Sequence, residues 1–104
     1  MTQTSLFVKM TFQPGKADEG IAALETMLLV VANEPGTLVY SFHRDAGDEN
    51  TVWVFELYTD GDALAVHSGS EELKALFGAI GGWFAEPPMM VMTTPIGTAK
   101  GLPN

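Results

Sequence analysis

The chain has 104 residues, no cysteine, and thirteen Asp and Glu against five Lys and Arg, a formal charge of -8. That charge repels phosphate backbones and anionic lipid, which disfavours nucleic acid and membrane surfaces as partners. Without cysteine there is no disulfide framework, thiolate metal site or Cys nucleophile, so the expected partners are a small molecule or another protein.

At 46% apolar residues a single core is within reach, and residues 1–104 read as one domain. The opening "MTQTSLFVKMTF" has no basic n-region, and no apolar run reaches the roughly 18 residues of a membrane span. A soluble, cytoplasmic protein is the expectation.

Leu6, Val8, Met10 and Phe12 alternate with Phe7, Lys9 and Thr11, the period of two that predicts a first strand. "QPGKADEG" breaks it, with Asp18 and Glu19 suited to the first turn of a helix. Ile21, Leu24, Leu28 and Val31 then predict one amphipathic helix of about four or five turns. "NEPG" stops it: Asn33 tolerates a left-handed C-terminal residue, Pro35 cannot continue a helix, and Gly36 frees the chain to turn. Thr37 to Arg44 and Thr51 to Tyr58 read as two strands joined by the polar "DAGDEN". Asp60 is a plausible N-cap for a short helix, and Ser70 with Glu71 and Glu72 opens a second one through Leu73, Leu76, Phe77 and Ile80. After "EPP", Met89 to Thr94 is the fourth strand.

The order is β-α-β-β-α-β, a ferredoxin-like α+β arrangement with one antiparallel sheet and its helices on a single face. Strand three carries Trp53, Phe55 and Leu57 on one side and Val52, Val54, Glu56 and Tyr58 on the other, and strand four reads "MMVM" without alternation. Strands apolar on both sides need cover on both sides. Helices supply one cover, so a two-fold homodimer built sheet against sheet is expected to supply the other.

Glu56 stands mid-strand among apolar residues, where a carboxylate is costly unless paired or neutral. Its structural explanation is an ion pair or hydrogen bond, with Lys9 or Arg44 as partner; its functional one is a pocket acid or base. His67, on the short helix, either stabilises a helix end or acts in the pocket. His43 stands next to a hairpin, where a solvated edge residue competes with a binding role. Trp83 in "GGWFAEPP" is a candidate mobile wall for an apolar ligand. Trp53 and the strand-four methionines fit core or interface. His43 and His67 are single and far apart in sequence, so no metal site and no metal cofactor is expected.

"KMTFQPGKADEGIAAL", "EPGTLVYSFHRD" and "VFELYTDGDALAVHSGSEELKALF" together resemble the antibiotic biosynthesis monooxygenase (ABM) domain family, over nearly the whole chain. The resemblance implies a dimeric α/β-barrel and oxygenation of electron-rich phenols, quinols or anthrones by molecular oxygen, independent of any cofactor. It also implies that Glu56 and Tyr58 face the cavity between sheet and helices. The same fold serves haem degradation and isomerisation, so fold alone narrows the chemistry only in part. Many members have a second His followed by Phe where this chain has Glu72 and Leu73; the antibiotic-pathway oxygenases carry a strand-three Asn, against Val52 and Val54 here. Phe77 stands in the region of the haem-ligating His, which disfavours haem degradation.

On this reading His67 is the first candidate base and Glu56 the second, with Tyr58 as orienting donor and Tyr40, Phe42, His43 and Trp83 lining the substrate site. The alternative is an isomerase working by proton shuttling, or a binding protein for a small apolar metabolite.

Overall fold

Alternation along Thr4–Thr11 (β1) sorts the strand's two faces: Leu6, Val8 and Met10 are buried, while Phe7 is exposed. The computed structural model describes residues 2–97 and 99–103. Thr51–Tyr58 (β3) lies antiparallel to β1 with Leu6 opposite Glu56 and Val8 opposite Val54. Thr37–Arg44 (β2) pairs with the other edge of β3, placing Tyr40 opposite Glu56 and Phe42 opposite Val54. Met89–Thr93 (β4) pairs with β1, with Met90 opposite Val8. The sheet order β2-β3-β1-β4, antiparallel throughout, is the expected ferredoxin-like α+β fold.

The first helical region differs from the single helix expected. It is split into Ala17–Glu25 (α1) and Met27–Val31 (α2), with Thr26 between them. The Thr26 hydroxyl donates to Ala23 O at 2.6 Å, a local side-chain bond of the kind that competes with the helical ladder. The second region comprises Gly61–Ser68 (α3) and Glu71–Ile80 (α4), followed by a 3-10 turn, Gly81–Trp83. Both expected caps form: Asp60 accepts from Ala63 N–H at 2.9 Å, and Ser70 Oγ from Leu73 N–H at 3.2 Å.

The "NEPG" stop works differently from expectation. No non-glycine residue among those described has positive φ, so Asn33 is not left-handed. Its side-chain amide instead donates to Leu29 O at 3.2 Å. Gly36 serves close packing: a Cβ there would stand 2.5 Å from Ala63 Cβ. The missing side chain lets α3 lie against the loop that follows α2.

Packed between helices and sheet are Val8, Phe12, Leu24, Met27, Val54 and Ile80 among others. On the opposite face Phe7 stacks on Phe55 at 5.0 Å between centroids. Phe7 is 45% exposed, Met89 50% and Val91 46%. Within one chain β4 is therefore open on both faces, not covered as its unbroken apolar run suggests.

Candidate functional site

Strand parity decides which polar residues reach the helix side of the sheet. Glu56 and Tyr58 point inward from β3, and Tyr40, opposite Glu56 in β2, joins them. From α3, His67 sits buried on the helix's last turn directly above this group. Its ring centroid is 5.0 Å from that of Tyr40 and 5.7 Å from that of Tyr58. Phe42 packs edge-on against Tyr40 at 5.3 Å, supporting it from behind.

Glu56 and His67 are the two buried titratable groups that line the inner cavity. His67 Nε2 lies 3.8 Å from Glu56 Oε1, while Nδ1 lies 3.0 Å from Glu34 Oε1. The Tyr58 hydroxyl donates to Glu56 Oε1. Burial raises the Glu56 pKa above the ordinary carboxylate range, against the opposing pull of the Tyr58 hydrogen bond and the His67 charge. Both tyrosines are pushed upward, chiefly by burial and then by the Glu56 charge, so they act as phenol donors.

A Glu whose pKa rises on folding binds its proton more tightly in the native state than in the unfolded chain. It therefore costs stability progressively as pH climbs from the unfolded value through the raised native one. Glu56→Gln, which can still accept from Tyr58, is expected to remove this slope. Urea denaturation from pH 4 to 8 checks it: wild type should lose stability relative to the variant on going upward. Parallel profiles would contradict the buried-acid assignment.

The neighbouring walls are apolar. Leu6, Val8 and Met10 from β1, with Leu24, Leu73 and Phe77 from the helices, enclose with Glu56 and His67 a cavity of about 60 Å³. Phe77 and Met90 also border a larger, open groove of about 550 Å³ that runs along Phe84, Pro87 and Pro88. Glu86 is the sole charged residue of that groove's wall, whereas the smaller cavity brings Glu56 and His67 together.

Several expected placements change. His43 lies on the outer face, opposite Trp53, exposed and hydrogen-bonded to Ser41 Oγ at 2.9 Å. Trp83 is held in its 3-10 turn, where its carbonyl accepts Gln13 N–H at 2.9 Å and Lys16 Nζ stands 5.7 Å from its ring; it borders neither the cavity nor the groove. Glu56 pairs with neither expected cation. Lys9 points outward over Trp53, and Arg44 Nη2 donates to Asp18 Oδ1 at 2.7 Å. Glu34 is an additional residue of the site, marked in the sequence only as a lone carboxylate immediately before the helix-stopping Pro35-Gly36. Among the described residues, no three His, Asp or Glu side chains are arranged to hold a metal ion, and no helix is long and apolar enough to cross a membrane.

A split βαβ sheet with a buried His–carboxylate pair beside an inner cavity defines the chain as a domain of the ferredoxin-like α+β class. The antibiotic biosynthesis monooxygenase family model matches residues 5–79, and the chain belongs to that family. A Caulobacter crescentus CB15 protein of the same family name is 32% identical, with 92% of each chain covered and a TM-score of 0.88. A Nitrosomonas europaea protein (18% identical, 91% of each chain, TM-score 0.87) and one from Mycobacterium tuberculosis (20%, covering 95% of this chain and 100% of that one, TM-score 0.87) share the fold. A curated Synechocystis protein is 34% identical over 55 residues, which is 53% of this chain and 37% of that one.

Proposed function

We propose that the protein is a cofactor-independent monooxygenase acting on a small aromatic substrate of quinol, phenol or anthrone type. The observation that carries this reading is the buried His67, which lines a largely apolar cavity with Glu56 and Tyr40 and turns Nε2 toward Glu56. An imidazole there can take a phenolic or benzylic proton in a small, largely apolar site. The electron-rich anion passes electrons to molecular oxygen and a carbon–oxygen bond forms. Nε2 returns its proton to the resulting peroxide; the O–O bond and the remaining C–H bond at the oxygenated carbon then break, so one oxygen stays on the product, the other leaves as water carrying both hydrogens, and the substrate supplies the electrons. Tyr40, a phenol on the cavity wall, would donate to the developing oxyanion, while Tyr58 keeps its hydroxyl on Glu56 and orients that carboxyl.

Ligand pockets commonly hold roughly 300–1,000 Å³. At about 60 Å³ the inner cavity takes only the reacting edge of a ring, and the rest would lie past Phe77 and Met90 in the open groove. A substrate with one polar, oxidisable end and an apolar body fits both. An oxygen electrode with a panel of quinols, phenols and anthrones tests the reading: oxygen uptake in step with substrate loss supports it. If none is consumed, the second reading stands, an isomerase using His67 and Glu56, two titratable groups 3.8 Å apart, to shuttle a proton.

The open sheet face supports a homodimer, and the lack of cysteine suits a cytoplasmic setting. Phe7, Phe55 and Val91 would lie at the interface, which should bury at least about 1,000 Å² in total. Light scattering at micromolar concentration is expected to give twice the chain mass, and Phe7→Glu to give the monomer. A monomeric wild type would remove the proposal.

A further inference from the structure

The reaction proposed above leaves the contact behind His67 without a role. Its Nδ1 lies 3.0 Å from Glu34 Oε1, and that same oxygen accepts the Thr37 hydroxyl at 2.9 Å. Local structure holds the carboxylate in place. Thr37 N–H donates to Glu34 O at 3.1 Å, closing the turn around Pro35, and Gly36 admits α3 to within contact of that turn. The two faces of the imidazole thus meet different surroundings. Glu34, 13% exposed, borders a surface depression between Pro35 and Val66; His67, 3% exposed, borders the inner cavity.

An ionised carboxylate only accepts hydrogen bonds, so the ring nitrogen facing it must carry the proton. Glu56 is the competing acceptor on the other side. Its Oε1 stands 3.8 Å from Nε2, beyond hydrogen-bonding range, and already accepts from Tyr58. Among the described residues nothing hydrogen-bonds to Nε2.

We infer that Glu34 is a positioning residue: it holds His67 in the Nδ1–H tautomer, leaves the Nε2 lone pair aimed at the substrate, and faces the imidazolium with negative charge once Nε2 is protonated. No proton passes to Glu34. Nδ1 keeps its own, while Nε2 gains one and later returns it. The catalytic part of this inference rests on the base role proposed for His67; the tautomer does not depend on it.

The test therefore starts without substrate. Nitrogen-15 NMR of the free protein, at alkaline pH where imidazole is neutral, should report a protonated Nδ1 and a bare Nε2 for His67. Glu34→Gln, whose amide oxygen still accepts, should keep that tautomer, and Glu34→Ala should shift the ring toward Nε2–H. A wild-type ring carrying its proton on Nε2 would overturn the inference and make Glu56 the acceptor. So would a Glu34→Ala ring identical to wild type. Should Glu34→Ala fail to fold, the wild-type tautomer and Glu34→Gln still decide. With a turned-over substrate, Glu34→Gln should lower kcat at least about tenfold with KM little changed, since orientation and charge on the base act in the transition state; unchanged kcat would overturn the catalytic part. The Nδ1–H tautomer in a protein that consumes no oxygen with any substrate would remove the monooxygenase reading alone.

Discussion

His67→Ala is expected to lower turnover of an oxidisable quinol or anthrone by at least roughly 100-fold, the low end of general-base effects, while the fold and oligomeric state persist. The reason is positional. His67 is the one imidazole that lines the inner cavity, since His43 lies on the far side of the sheet. Ala leaves the cavity walls from β1 and α4 in place, so binding through apolar contact should suffer less than the chemical step. Steady-state oxygen uptake measures the loss, and circular dichroism with light scattering checks the fold. Glu56→Gln separates the rivals. Should His67→Ala keep full turnover and Glu56→Gln abolish it, the base is Glu56; should both variants stay active, neither residue is the base.

Phe12→Ala is expected to destabilise the protein by about 3–5 kcal/mol, the range for emptying a buried Phe site. Phe12 is 1% exposed and follows directly on β1. Its ring stacks on Phe84 at 5.0 Å and fills the space where Gly20 has no side chain; a Cβ there would come within 2.4 Å of the ring. It therefore ties α1 to the segment after α4, and neither neighbour can collapse into the hole without moving a helix. Thermal unfolding should fall by roughly 12 °C or more for a domain of this size. A shift of only a few degrees would mean that the Phe84 segment closes over the gap.

Much of this architecture is written in short-range pattern. Alternation in 4–11 and 51–58 marks strands because period two is a property of the extended backbone, and Asp60 and Ser70 mark helix starts because each accepts an N–H within its own first turn. The inward placement of Glu56 with Tyr58 follows from the same parity. The same parity separates the remaining polar and aromatic residues. Tyr40 and Phe42 share one face of β2 and His43 takes the other, and Lys9, opposite Trp53, stands on the wrong face to neutralise Glu56.

Other features depend on tertiary contacts. The break at Thr26 is set by a hydroxyl choosing the Ala23 carbonyl, a choice that helical periodicity of apolar residues does not register. Trp83 looked mobile because glycines flank it, but hydrogen bonding to Gln13 and a cation over its ring pin it from a distant part of the chain. The Glu34–His67 contact spans 33 residues and exists because a glycine lets α3 settle onto the turn after α2. Residue types and spacing thus determined the strands, the caps and the inward-facing carboxylate of this protein. Which carboxylate faces which edge of the imidazole was decided only when helix and sheet closed on each other, because hydrogen bonds act over about 3 Å and sequence distance does not measure that separation.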